Sequence, residues 1–417
     1  MKQKSLFVLT ISAIVLAYVS MSSCSDVNTV EDPHFTSDGY FIKDSNITDT
    51  FSIVNPQKIK YYVEVSGSMN GFFRPNQPTQ FKTDVWEIMS YFSSFPSEVT
   101  ILTNNGSTGA RLSIDDFRQY MNTGSFISSA STQVPIMLST IVNDIKPGNG
   151  ELAILISDMK YSPVGAAAPK VLLNQYSTDI SRILGSFGKP VSLIGAVSNY
   201  LDKKEEVLES PYYFFIIGNE GEVAYMRNCI STLLENNGHF VDNIESGFNY
   251  GTPKHSFGIP DFCYQLADEP TFVDFDESAS DTCVVNLKVD LAQYRWIMSD
   301  TTIFKNAFKC KALYGSNVRM GDVKIEVSNI TDKKLNRTAI ANVRLKVFDL
   351  AMDSEVIEWR LDLPDTNDVK FSRFFNAISE TDYTRSYSIE NFISGMFYGG
   401  VVNKTLKPNY ILISKNS

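Results

Sequence analysis

Between Asn55 and Gly238, short apolar runs rich in β-branched and aromatic residues alternate with stretches of helical period, and this alternation restricts the fold more than any other feature. The strands it predicts are Ile59–Val65, Glu98–Thr103, Glu151–Ser157, Val191–Val197 and Tyr212–Gly218. The helices are Phe81–Phe92, Ile114–Tyr120 opened by Ser113 as N-cap, Gln133–Asn143, Lys170–Phe187 and Glu222–Leu234, the last closed by Asn236, Asn237 and Gly238. Strands so short and apolar are covered on both faces, which predicts an α/β fold with a doubly wound, mostly parallel sheet. Ligands of such sheets bind outside the carboxyl ends of the strands, so functional side chains are expected just after strands.

Three segments meet that expectation. The strand Ile59–Val65 runs into a Gly-containing polar turn, so Glu64, Ser66 and Ser68 bring side-chain oxygens together at its end. Ala153 to Ser157 is a buried strand followed by the carboxylate of Asp158, and Ser128 to Thr132 places hydroxyls before a helix at the same edge. Hard oxygen donors on a tight turn suit a divalent cation such as Mg²⁺, or Mn²⁺ or Ca²⁺.

The spacing Glu64-x-Ser66-x-Ser68 resembles the metal-ion-dependent adhesion site of von Willebrand factor A domains, which usually reads Asp-x-Ser-x-Ser. Thr132 before a helix and Asp158 after a central strand match, in order and context, the family's second and third metal loops. Three positions depart from the family: Glu64 stands for Asp, Ser157 for the Thr before the last Asp, and Met159 for the Gly after it. The resemblance covers roughly residues 55–238. It implies a von Willebrand factor A-like domain in which Ser66, Ser68 and Thr132 are metal ligands. Glu64 and Asp158 would balance the charge, and the carboxylate of a protein partner would complete the metal shell.

The amino terminus bears on location. Lys2 and Lys4 precede an apolar run from Leu6 to Val19, a secretory signal too short for a comfortable membrane span. The run ends Met21, Ser22, Ser23, Cys24, which resembles the lipobox of bacterial lipoproteins. That resemblance implies cleavage after residue 23 and lipid on Cys24, with localisation to the cell envelope, at the outer membrane. Each buried CH₂ of the lipid contributes about 0.8 kcal/mol, enough together for firm anchoring. Residues 24–54 are polar and acidic without apolar period, a tether spanning about 30 Å if disordered. A net charge of −10 leaves no broad basic face for nucleic acid.

Glycines, prolines and an acidic run make residues 239–281 a linker, with no spacing of an EF-hand in it. Strand-like runs follow at Thr282–Val289, Ala307–Leu313, Val323–Val327, Ala339–Phe348 and Val356–Leu363. They predict a β-rich domain over residues 282–417, of the sandwich type. Ser388–Phe397 has helical spacing and Tyr410–Ile413 reads as a strand, either of which can pack onto either domain. Cys283 and Cys310 are the first candidates for a disulfide among Cys229, Cys263, Cys283 and Cys310, free buried thiols being the other reading.

Enzymatic signatures are weak. Ser66 lacks a Gly-x-Ser-x-Gly elbow, and His34, His239 and His255 stand in segments read as tether or loop. Gly106 to Gly109 has no Lys in Walker spacing. Residues 163–169 are a small-residue loop or a rim of the site. Phe72, Phe73, Arg74 and Tyr161 either contact a partner or pack beneath the turn. The sequence therefore favours a lipid-anchored envelope protein that recognises a protein partner through a divalent-cation site. A metal-free structural lipoprotein comes second and a metal-dependent hydrolase third.

Overall fold

The computed structural model describes residues 51–103, 108–124, 132–162, 169–202, 206–258, 263–265, 272–276, 282–297, 300–328, 338–350, 353–362, 370–399 and 408–416. The signal segment, Cys24, His34 and residues 24–50 of the tether lie outside the described residues. So do Ser128 to Ser131 and residues 163–168.

The first domain is built on β1 (Lys58–Glu64), which pairs in parallel with β2 (Ser97–Leu102) on one side and β4 (Glu151–Ser157) on the other. An edge strand, β3 (Thr108–Leu112), runs antiparallel to β2. Beyond β4 lie β6 (Glu206–Ile217), β5 (Val191–Leu201) and β7 (Phe240–Ser246), all in antiparallel pairings, so the seven-stranded order is β3-β2-β1-β4-β6-β5-β7. Alternate residues of β1 point to opposite faces, so Tyr61 enters one core and Tyr62 the other, both fully buried. One core is covered by α1 (Gln80–Tyr91), α2 (Ile114–Thr123) and α5 (Glu220–Asn237). The other is covered by α3 (Val134–Asp144) and α4 (Pro169–Phe187), with a helix that returns from the end of the chain. Helix punctuation follows the sequence: Ser113 accepts the Asp116 N–H at 3.1 Å, and Gly238 ends α5 at φ +76°.

The alternation of strand and helix fails at one place. Only Asp202 to Glu205 separate β5 from β6, whereas a parallel crossover needs about a dozen residues, so the two strands form an antiparallel hairpin. The expected linker is also corrected. Val241 and Ile244 are buried, making residues 240–246 the edge strand β7. β8 (His255–Gly258), β9 (Cys263–Gln265) and β10 (Phe272–Asp276) belong to the second domain.

That second domain is β-rich, with two sheets sharing one core. The first sheet has the order β13 (Asn317–Val327), β14 (Ala339–Phe348), β11 (Thr282–Asp290), β8. The second has β12 (Phe308–Ala312), β15 (Ser354–Leu361), β16 (Asn409–Asn416), β10, β9. A short helix, α6 (Thr301–Ala307), leads into β12. Leu287, Val343 and Leu345 from one sheet meet Trp359, Leu361 and Ile411 from the other. Cys229, Cys283 and Cys310 are thiols, so the Cys283–Cys310 bridge is not formed. The two thiols sit in opposite sheets, and packed sheets lie about 10 Å apart, farther than a disulfide reaches.

Residues 370–399 leave the sandwich and return to the α/β sheet. There α7 (Ile389–Gly399) buries Ile389, Phe392, Ile393 and Met396 against α4, and the chain goes back as β16. Two glycines set how closely these helices approach. A Cβ on Gly395 would lie 2.7 Å from the Ser177 carbonyl oxygen, and one on Gly399 2.8 Å from that of Ser181. At the domain junction Arg227 of α5, fully buried, lies 2.6 Å from Glu245 of β7 and donates to the Gln293 carbonyl at 3.4 Å.

Two stability predictions follow from these contacts. Gly395→Ala forces α7 away from α4 and lowers unfolding stability by about 1–3 kcal/mol, read as a lower urea midpoint. Arg227→Met leaves the buried Glu245 carboxylate without its partner and costs about 3–5 kcal/mol in the same measurement. An unchanged midpoint in either variant contradicts the packing described.

Candidate cation site at the sheet edge

The carboxyl ends of β1 and β4, neighbours in the centre of the sheet, place Glu64 and Ser157 side by side. After β1 the chain turns into a short 3-10 segment, Gly67–Met69, with Ser66 at its start and the Ser66 and Ser68 hydroxyls 2.8 Å apart. After β4 comes Asp158, then Met159 at φ +55°, a left-handed conformation unusual for so large a side chain. Thr132 is sewn to this loop by a pair of backbone hydrogen bonds with Ser162, at 3.1 and 2.9 Å. Glu64, Ser66, Thr132 and Asp158 are therefore brought to one buried edge, each no more than 2% exposed, with Ser68 beside Ser66.

Burial this deep demands hydrogen-bond partners for the carboxylates. Glu64 accepts from the Thr132 hydroxyl at 2.8 Å on Oε1 and from the Ser157 hydroxyl on Oε2. Asp158 Oδ1 accepts the Lys160 backbone N–H at 3.2 Å, while its Oδ2 is buried without a hydrogen-bond partner. Burial pushes the Glu64 carboxyl up to about 7, the charge of Asp158 adding to the effect and the hydroxyls of Ser157, Ser66 and Thr132 opposing it. Burial likewise raises Asp158, against the attraction of Lys160 and a hydrogen bond from the Ser68 hydroxyl.

Lys160 is the group that sequence reasoning missed. Its side chain folds back over the edge, 3% exposed, and its ammonium donates to the carbonyls of Glu380 at 3.2 Å and Asp382 at 3.0 Å. Desolvation lowers its pKa, while the negative charges of Asp158, Asp382, Glu380 and Glu64 act the other way. The signal was present as a Lys two residues past a buried Asp, but its role depends on residues more than two hundred positions away. Ser157 was noted only as a departure from the family pattern, and its hydroxyl proves to be a partner of Glu64.

The donor set fits a hard divalent ion: two carboxylates, three hydroxyls, and one carboxylate oxygen with nothing bonded to it. Among the described residues no group of three or more His, Cys, Asp or Glu side chains gathers as a metal site. The hydroxyls are thus essential to any such assignment. Phe72 and Phe73 are buried beneath the turn, and Tyr161 stacks on Tyr176 with centroids 4.1 Å apart, so these three are packing residues. His239 pairs with Asp84 at 2.7 Å, and His255 packs edge-on against Trp359. No protein-family model, curated protein or solved structure matches the chain.

The raised pKa of Glu64 has a signed consequence. A carboxyl that holds its proton to higher pH in the folded than in the unfolded state contributes stability at low pH, and this is lost as pH rises from its ordinary 4.5 toward 7. In chelator-treated buffer, stability is expected to fall across that window by up to about 1.4 kcal/mol per pH unit for one proton. Glu64→Gln should flatten the fall. Urea midpoints at several pH values measure it, and an equally steep fall in the variant contradicts the assignment.

Proposed function

We propose that the protein is a lipid-anchored cell-envelope binding protein whose α/β domain is von Willebrand factor A-like. In this reading it recognises a protein partner through a divalent-cation site formed by Glu64, Ser66, Ser68, Thr132 and Asp158. The observation that carries the reading is the bare Oδ2 of Asp158, buried at the carboxyl edge of the sheet among hydroxyls suited to a hard cation. Bound there, Mg²⁺ or Mn²⁺ supplies positive charge to balance two buried carboxylates and to attract a carboxylate of the partner. Ser66, Ser68 and Thr132 hold the ion through their hydroxyls, and Glu64 and Asp158 supply the opposing charge. Anchoring rests on Cys24 and its lipid. Among the described residues no helix is long and apolar enough to cross a membrane.

One observation favours a second reading. Lys160 already places a cation among the carboxylates, so a structural envelope lipoprotein that uses its ammonium in place of a metal is also consistent with the edge. Calorimetric titration of the mature protein with Mg²⁺ and Mn²⁺ separates the two. The cation reading expects one site whose affinity falls at least about tenfold in Asp158→Ala and in Ser66→Ala. Absence of heat from the wild-type protein retires it in favour of the metal-free reading.

A further inference from the structure

Residues Ser379 to Ser388 lie across the candidate site, and their contacts differ from those on either side. Phe374 before them and Ile389 after them are buried in the core beside α4. In between, most of the strap's contacts are polar, Tyr383 being the side chain that packs against the first core. Lys160 binds the Glu380 and Asp382 carbonyls, Ser162 donates to Glu380 Oε2 at 2.6 Å, and Ser386 donates to the Asp158 carbonyl at 3.1 Å. The Tyr161 N–H donates to the Tyr387 carbonyl at 3.2 Å. Of its two tyrosines, Tyr383 stacks on Tyr200 with centroids 4.1 Å apart and lies under the Lys160 ammonium at 4.5 Å. Thr381, Thr384 and Arg385 face solvent.

The surface beneath the strap is preorganised. A Cβ on Gly71 would lie 2.4 Å from the Tyr200 ring, so the glycine lets the ring lie flat against the turn that follows β1. The result is a fixed aromatic platform next to a buried ammonium. Together they take a tyrosine ring, two backbone carbonyls and nearby acidic side chains, which is the chemistry of a peptide ligand. A segment needed only to fill the core would bury apolar side chains here, as α7 does.

We infer that Ser379–Ser388 is an in-chain ligand occupying the docking face of the cation site, displaced by a partner segment of like chemistry, an acidic peptide bearing a tyrosine. The inference rests on the cation-site reading for the identity of that face. Displacement exposes Lys160, the Tyr200 platform and the route to Asp158 at one time. The strap thereby keeps the face closed until a competing peptide is present.

Hydrogen exchange of the mature full-length protein, followed by mass spectrometry, tests this together with a synthetic peptide spanning residues 377–389. In the wild type, strap amides such as those of Asp382 and Thr384 are expected to exchange at least tenfold faster than the amides of β1 and β4. Tyr383→Ala should accelerate strap exchange a further tenfold or more, leave β1 and β4 unchanged, and bind the peptide at least tenfold more tightly than the wild type does. Exchange of the strap only together with β1 and β4 overturns the inference, and needs no variant to show it. So does an opened Tyr383→Ala strap that fails to bind the peptide. Repeating the peptide titration with Mg²⁺ and with chelator separates the two claims: equal peptide binding and no Mg²⁺ heat retire the cation reading, while peptide binding to the opened variant still supports the strap.

Discussion

Two carboxylates buried at one edge of a sheet impose conditions that reach far along the chain. Taking an ionised carboxylate out of water costs several kcal/mol unless donors or opposite charge replace the water. Glu64 meets the condition with hydroxyls brought from two other segments, that of Thr132 before α3 and that of Ser157 at the end of β4. Asp158 meets it in part, with a backbone N–H on one oxygen, the Ser68 hydroxyl and the charge of Lys160 close by. Lys160 then needs acceptors of its own. The carbonyls of Glu380 and Asp382 satisfy it, so the electrostatics of β1 and β4 help to hold a segment from the end of the chain.

The path of that segment explains how the two domains are joined. Between β15 and β16, neighbouring antiparallel strands of the sandwich, the chain leaves for the α/β sheet, lays the strap over its edge and packs α7 on α4. Returning as β16, it also pairs in parallel with β10. The domains are thus tied by an apolar helix at one place and by the Arg227–Glu245 pair, with its bond to the Gln293 carbonyl, at another. The strap carries little of that burden. Its contacts are mainly polar, with Tyr383 alone packing against the first core, whereas moving α7 exposes Phe392 and Met396, both fully buried. Segments that move in recognition are drawn from the weakly packed parts of a fold, which is why the proposed displacement falls on the strap and not on α7.

What was legible in the sequence was what local periodicity encodes. Strands Glu151–Ser157 and Ala339–Phe348 and the caps at Ser113 and Gly238 stand where apolar period and turn chemistry put them. Glu64, Ser66 and Asp158 share one buried edge because β1 and β4 are parallel neighbours whose carboxyl ends lie together, and Thr132 joins them through its backbone bonds to Ser162. Illegible were the features set by long-range pairing. β3 carries only exposed and half-exposed residues and shows no apolar run. β7 alternates buried Val241 with half-buried Asp242, too short a pattern to separate from a linker. The hairpin of β5 and β6 was readable from the missing helix between them. The close seat of α7 on α4 was written in Gly395 and Gly399, four residues apart on one helix face, but nothing local names the partner helix.

The three departures from the family pattern make sense as a set under the proposed reading. Glu64, longer by one methylene than Asp, spans the gap between Thr132 and Ser157 and has both oxygens bonded, so in the metal-free edge it is satisfied by hydroxyls alone. Ser157 takes part in the same arrangement, its oxygen also accepting the Met159 N–H at 2.7 Å. Met159 holds a left-handed conformation that costs a non-glycine residue about 1–2 kcal/mol, and its side chain is fully buried in the core beside α4, a gain of about 1.5–3 kcal/mol that offsets it. Each change therefore moves satisfaction of the edge from an external ion toward the protein's own groups. Lys160 extends the trend by adding a fixed charge. Under the proposed reading, a cation at such an edge would compete with the edge's own hydroxyls and with the Lys160 ammonium, which the Glu380 and Asp382 carbonyls of the strap hold in place.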